Sequence, residues 1–255
     1  MIEEEIQVHM TDGTSEGIVY WPEGGGRWPG VIHLTDIGGI RPSHRDMARR
    51  LAAEGYTVLM PNVFYRTGRP PLFDFKPSMG DERTTKRIAE LTGPLTPEAV
   101  DRDASNYVDF LAARDSVSQG AMGVVGYCAT GSMAIRIAAA RPDRIAAAAS
   151  LHGGKLFTEE PTSPHLVLPR VKAALYLGHA IQDRSMPEEA IEKLNRALES
   201  WGGQYESEVY EGAYHSWTVP DSPVYNQPQA ERAFQKLRGL FTRSLKQAQS
   251  VVRAD

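Results

Sequence analysis

The chain contains one cysteine, Cys128, and its neighbours make it a candidate nucleophile. It stands in AMGVVGYCATGS, between an apolar run ending at Val125 and a helical pattern opening near Ala129, with Gly126 two residues before it. A strand that turns sharply into a helix holds a nucleophile at the top of a sheet, and the crowding of that turn demands small residues on both sides. A helix N-terminus also offers free N–H groups and a partial positive charge, which favour the reactive thiolate over the thiol. Most free cysteines are small buried hydrophobes; Gly126 and the strand-to-helix context favour the nucleophile here. The position two after it, usually glycine in such elbows, is Thr130, with Gly131 one step later. The elbow is therefore expected to be slightly opened, or faced by something small.

A thiol nucleophile needs a base within hydrogen-bond reach, and the base needs an orienting partner. Of seven histidines, His215 in VYEGAYHSW follows the last apolar run, where a loop at the carboxyl end of a sheet carries it to the elbow. Asp183 in ALYLGHAIQDRSMP also lies just past an apolar run, ahead of a helix opening at Pro187, and is the candidate orienting acid. His152 follows the run Ala146 to Leu151, precedes Gly153 and Gly154, and is placed to overlook the site. His33 reads as a hydrogen-bonded core residue, and His9, His44 and His165 as surface or loop positions. His179 near Asp183 does not make a metal site, and no histidine clustering at ligand spacing is seen.

Acyl transfer needs donors aimed at the developing oxyanion, each worth about 3 to 4 kcal/mol. Ala129 N–H, directly after the nucleophile, supplies one; Ile37 N–H, in the LTDIGGIR loop after the third strand, is the candidate for the other. Asp36 beside it either modulates the thiol, by holding its proton or repelling its charge, or binds backbone groups in a Gly-rich turn.

These residues must be carried by a sheet. Alternation at Ile6, Val8 and Met10, a turn at Asp12 and Gly13, and resumption at Ile18 and Tyr20 predict an antiparallel hairpin. Short apolar runs then follow at Val31 to Leu34, Thr57 to Met60, Met122 to Val125, Ala146 to Leu151, Ala173 to Leu177 and Tyr205 to Tyr210. Helical patterns separate them: Ser43 to Glu54, Pro97 to Ala113, Ala129 to Ala140, Pro187 to Trp201 and Gln229 to Ala248. The rhythm predicts an α/β fold, a mostly parallel central sheet with an antiparallel N-terminal hairpin and helices on both faces, in a single domain over 1–255. Segment 62–93, rich in proline with several aromatics and arginines, breaks the rhythm and reads as an irregular lid.

Composition limits the partners. With 255 residues, a formal charge of −4 and scattered Lys and Arg, nucleic acid is not expected. The acidic start MIEEEIQVHM and the lack of a long apolar run predict a soluble, cytoplasmic protein without membrane association. One cysteine excludes an intrachain disulfide framework and Cys-based metal clusters.

The elbow GYCATG, the loop ending in Asp183, the EGAYHSW loop and the TDIGGIRP loop together resemble the dienelactone hydrolase family of α/β-hydrolases, from about Ile6 to Phe241, in the family's order of nucleophile, acid and histidine. The resemblance implies a Cys128, His215, Asp183 triad, no cofactor or metal, and a monomer or weak dimer acting on a small-molecule ester or lactone. It also implies that the acid at Asp36, where better-known members carry the longer Glu, interacts with the resting cysteine. Members acting on dienelactone hold its carboxylate with two arginines. Arg83 matches one, and Val219 stands where the other is expected, so dienelactone itself is not expected as substrate. Tyr65, His152 and Trp217 are the further candidates for lining a flatter, more apolar pocket. The alternative function is a non-catalytic ligand-binding or thiol-based redox-sensing homologue.

Overall fold

The computed structural model of the protein describes residues 1–247. Eight strands form one sheet in the order β1 (Ile2–Met10), β2 (Gly13–Trp21), β4 (Thr57–Pro61), β3 (Gly30–Leu34), β5 (Met122–Tyr127), β6 (Ile145–Leu151), β7 (Ala174–Ala180), β8 (Tyr205–Tyr210). The hairpin β1–β2 and the β2–β4 pair are antiparallel, and every other pairing is parallel. Successive strand residues face opposite sides, so Val124 joins one core and Val125 the other. α3 (Pro97–Ala112), α4 (Gly131–Ala140) and α5 (Glu188–Trp201) cover the first face; α1 (Pro42–Ala53) and α6 (Gln227–Phe241) cover the second. This is the α/β-hydrolase architecture expected, antiparallel hairpin included. No helix among the described residues is long and apolar enough to cross a membrane.

Two departures concern the elements. Segment 62–93 is not irregular throughout, because α2 (Glu82–Thr92) occupies its second half, capped by the Asp81 carboxylate accepting from Thr84 N–H. Thr84, Ile88 and Leu91 recur at helical spacing along it, though only Thr84 and Leu91 are buried, and the proline-rich run before them masked the pattern. The terminal helix starts at Gln227, gives way to a π-helical stretch over Thr242–Gln247, and its predicted end at Ala248 lies outside the described residues.

The parallel register brings the strand ends level: Leu34 lies opposite Gly126, Tyr127 opposite Leu151, Leu151 opposite Gly178, and Ala180 opposite Tyr210. Loops leaving these strands therefore converge at one rim, where open α/β sheets place their ligands. Cys128 leaves β5 at φ 55°, in the left-handed region, and a short 3₁₀ turn, Cys128–Thr130, leads into α4.

Thr130 does not force the elbow open. Its buried hydroxyl accepts from Tyr127 N–H at 3.0 Å and lies within donating distance of the carbonyls of Tyr127 (3.0 Å) and Leu34 (3.2 Å). The close contacts fall instead on the glycines. A Cβ at Gly126 would meet the Thr130 carbonyl oxygen at 2.2 Å, and one at Gly131 would meet Ser150 Oγ at 2.4 Å and Gly153 Cα at 2.7 Å. The small residues facing the elbow are thus Ser150 and Gly153. Because the obstacle at Gly126 is backbone of the same tight turn, Gly126→Ala should destabilise the chain by at least the ~1–3 kcal/mol of an overpacked core. The urea midpoint measures it, and an unchanged midpoint would refute the crowding.

Candidate active site

The rim loops bring Cys128, His215 and Asp183 together. His215 Nε2 lies 3.0 Å from Cys128 Sγ, and His215 Nδ1 lies 2.6 Å from Asp183 Oδ2. Asp183 is fastened through its other oxygen, Oδ1, which accepts from Ser185 N–H (2.8 Å) and Ser185 Oγ (2.7 Å). The acid and histidine loops are tied to each other by Ile181 N–H donating to Ala213 C=O at 2.9 Å. Cys128 remains partly exposed, whereas Asp183 is buried.

Backbone strain gathers here. The five non-glycine residues with positive φ among those described are Cys128, His152, Lys155, Gln182 and Ser216, and all lie in the loops that build this rim. Such conformations cost about 1–3 kcal/mol each and persist only where neighbours over-determine them. The determinants are visible: His152 N–H donates to Gly178 C=O at 2.7 Å, and Lys155 N–H to Ser185 C=O at 2.7 Å.

His152 is buried and belongs to the scaffold of the site, not to a substrate-lining surface. Its Nδ1 accepts from Cys128 N–H at 3.1 Å and its Nε2 lies 2.7 Å from Thr218 Oγ1. Its ring meets the edges of His215 (5.3 Å between centroids) and Trp217 (5.1 Å). Trp217, also expected against substrate, has no exposed surface and stacks on Tyr210. Ser216, at φ 77°, turns the chain between His215 and Trp217, so the indole goes beneath the loop.

Two more pocket candidates lie elsewhere. Tyr65 donates its hydroxyl to Asp103 at 3.0 Å and carries the Arg66 guanidinium over its ring, which makes it a support for the segment. Arg83 is exposed, paired with Asp74 at 3.0 Å and stacked on Phe75. Neither makes a hydrogen bond or ring contact with Cys128, His215 or Asp183. Val219 is fully buried. The segment does reach the rim at Leu72, which packs on Gly39: a Cβ there would meet Leu72 Cδ1 at 2.6 Å.

The acid at Asp36 is engaged by other partners. Arg41 grips both carboxylate oxygens, with Nη2 to Oδ2 at 2.8 Å, Gly38 N–H donates to Oδ1 at 2.8 Å, and His44 Nε2 lies 3.4 Å from Oδ2. Burial opposes its ionisation, but the His44 and Arg41 hydrogen bonds outweigh it and hold the carboxyl far below the usual range. An ionised acid committed to a guanidinium does not store the thiol's proton. His44, expected at the surface, is buried, with its Nδ1 3.0 Å from His33 Nε2. Arg41 also reaches across to Asp221, with Nε to Oδ2 at 2.8 Å and Nη2 to Oδ1 at 3.0 Å. Arg41, Thr218, Ser185 and Asp221 were not singled out from sequence, although each lies within or beside one of the motif loops: Arg41 in TDIGGIRP, Ser185 in ALYLGHAIQDRSMP, and Thr218 and Asp221 just after EGAYHSW.

The geometry defines a Cys–His–Asp arrangement at the carboxyl rim of an α/β-hydrolase sheet. A model of the dienelactone hydrolase family matches residues 15–245. The chain therefore belongs to the dienelactone hydrolase family and is a hydrolase of the carboxylic ester or lactone type. It is 30% identical over 198 residues to a carboxymethylenebutenolidase of Rhodococcus opacus, covering 76% of this chain and 73% of that protein. A provisionally named dienelactone hydrolase from Klebsiella pneumoniae superposes with a TM-score of 0.83 at 22% identity, covering 94% of this chain and 98% of that one. A dienelactone hydrolase-like promiscuous phosphotriesterase from metagenomic libraries gives 0.76 at 20% identity, covering 96% and 99%. At these identities the solved structures speak for the fold alone.

Burial opposes protonation of His215, but the hydrogen bonds to Asp183 and Cys128, with the charges of both, outweigh it and raise the ring to about 10. Asp183 is lowered from 3.8: burial pushes it up, and the His215 and Ser185 hydrogen bonds more than offset this. A raised histidine stabilises the fold fully below its ordinary 6.5 and loses that contribution as pH rises through about 10. The lowered Asp183 contributes above 3.8 and loses it in acid. The stability difference between the wild type and His215→Gln should therefore be largest between those limits and shrink as pH climbs toward 10. Thermal melts across pH measure it, and a difference independent of pH would mean that folding does not raise the ring.

Proposed function

We propose that the protein cleaves a small, uncharged ester or lactone with Cys128 as nucleophile, His215 as proton carrier and Asp183 as its orienting acid. The observation that carries this reading is the continuous hydrogen-bonded line from Cys128 Sγ through His215 to Asp183, within a family of hydrolases.

His215, whose proton affinity is raised by its partners, takes the thiol proton directly, without Asp36. The thiolate attacks the carbonyl carbon, and the N–H groups of Ile37 and Ala129 receive the oxyanion. Ala129 N–H lies in the first turn of its helix and has no intrahelical acceptor. As the C–O bond breaks, His215 gives its proton to the departing alkoxide, leaving a thioester on Cys128. Acylation removes the thiolate charge, and with it two of the influences that raise His215. The ring's hold on a proton weakens, and once it has given its proton to the leaving alkoxide it can act as the base that deprotonates the attacking water. Collapse of the second tetrahedral intermediate breaks the C–S bond and restores thiolate and imidazolium. With a lactone the alkoxide stays on the acyl chain, so one hydroxy acid leaves.

The preference for an uncharged substrate rests on the arginines. A bidentate guanidinium is the usual carboxylate clamp; here Arg41 is taken by two carboxylates, Arg83 by Asp74, and Val219 offers no charge. The same reading makes the chain one catalytic domain of a cytoplasmic monomer or weak dimer that needs no metal or cofactor, with Leu72 and its segment covering the oxyanion loop.

Steady-state and burst kinetics on neutral and carboxylate-bearing lactones and on p-nitrophenyl acetate test it. The wild type should release about one nitrophenolate per chain in a burst, since thioester hydrolysis is the slower step, and should turn over neutral lactones faster. Cys128→Ala should lose more than about 10³-fold in kcat. Retained activity in that variant, or no turnover of any substrate, would overturn the reading; in the second case slow alkylation of the thiol would point to a non-catalytic homologue.

A further inference from the structure

Cys128 needs more than a base: its left-handed backbone must be held while the thiolate forms, attacks and leaves. The strain at φ 55° is local, and the group placed against it is the ring of His152. Cys128 N–H donates to His152 Nδ1 at 3.1 Å, so that nitrogen carries no hydrogen. The proton of the neutral ring is then on Nε2, which donates to Thr218 Oγ1 at 2.7 Å. Thr218 stands three residues beyond His215, in the loop that also delivers the base.

We propose that His152 is the positioning residue of the nucleophile: a neutral imidazole, fixed in its Nε2–H tautomer by Thr218, whose Nδ1 holds the Cys128 N–H and so aims Sγ at His215. The inference rests on Cys128 being the nucleophile. It assigns His152 no contact with substrate and no proton transfer. The environment excludes the charged ring: His152 is fully enclosed, and burial followed by the charge of His215 keeps it well below its ordinary value. Protonation at Nδ1 would replace an acceptor with a donor facing another donor. Two histidines 5.3 Å apart thus do opposite work, His215 carrying the proton and His152 remaining without one. The arrangement also takes the Cys128 N–H out of the oxyanion site, leaving that task to Ala129 and Ile37.

Nitrogen-15 NMR of histidine-labelled wild-type protein reads the tautomer directly. His152 should show a protonated Nε2 and an unprotonated Nδ1 throughout the active pH range; the opposite tautomer or an imidazolium would overturn the proposal. Function is read by comparing His152→Asn, which keeps an acceptor near the Nδ1 position, with His152→Leu, which keeps bulk alone. In folded, active-site-titrated protein, His152→Leu should lose about 10²-fold in kcat, with KM within about twofold, and iodoacetamide should alkylate Cys128 correspondingly slowly. His152→Asn should recover most of both rates. Thr218→Val, which leaves the ring in place but frees its tautomer, should fall between them, and serves if His152→Leu does not fold. Equal losses in the Asn and Leu variants, or a folded Leu variant with wild-type alkylation, would leave His152 a packing residue only. Alkylation needs no substrate, so a thiol that obeys these expectations in a protein that hydrolyses nothing would refute the ester reading and not this one.

Discussion

The conformation of Cys128 is the constraint on which the rest of this structure turns. A side chain in the left-handed region, at the point where a parallel strand becomes a helix, needs empty space on every side of its backbone. Gly126 leaves that space beneath the Thr130 carbonyl, and Gly131 leaves it where α4 passes Ser150 and Gly153. Thr130 binds the turn through its hydroxyl instead of crowding it. The apolar sheet packed on both faces supplies the stability that lets a strained turn persist.

Two carboxylates flank the site, and each has its own cation. Asp183 serves His215, while Asp36 serves Arg41 in the loop after β3. Both are buried and both are held ionised by hydrogen bonds that outweigh their desolvation. Separating the partners keeps the functions separate: the first pair can change protonation during a reaction, whereas a carboxylate gripped by a guanidinium only fixes the shape of a loop. The shorter Asp at position 36 suits that second role, since its side chain is spent within the loop itself.

How much of this was legible in the sequence depended on whether a residue's role is encoded locally. Cys128, Asp183 and His215 each follow an apolar strand and begin a turn, so their position on the rim could be read from flanking residues. The fold could be read for the same reason, strand by strand. Side-chain direction could not. Trp217 and Tyr65 have the composition of a pocket wall, yet a positive φ at Ser216 sends one beneath its loop and Asp103 draws the other into the segment's own support. His44, in the polar run SHRD, faces inward because His33 and Asp36 wait there to bond it. Helix α2 was hidden because its short stripe of Thr84, Ile88 and Leu91 follows a proline-rich run that reads as loop, although its Asp81 cap was in plain view.

The bridge made by Arg41 has a consequence for how the molecule is assembled. One guanidinium joins Asp36, five residues away, to Asp221, 180 residues away. When the N-terminal part of the chain leaves the ribosome, the loop after β3 already contains its acid and its arginine, but the second carboxylate has yet to be made. The same delay applies to Thr218 and to His215 itself. Closure of such distant contacts comes late in folding because their loop entropy must be met first. The rim that joins Cys128, His215 and Asp183 is therefore completed only after the last third of the chain has docked, so a half-made protein does not present it finished.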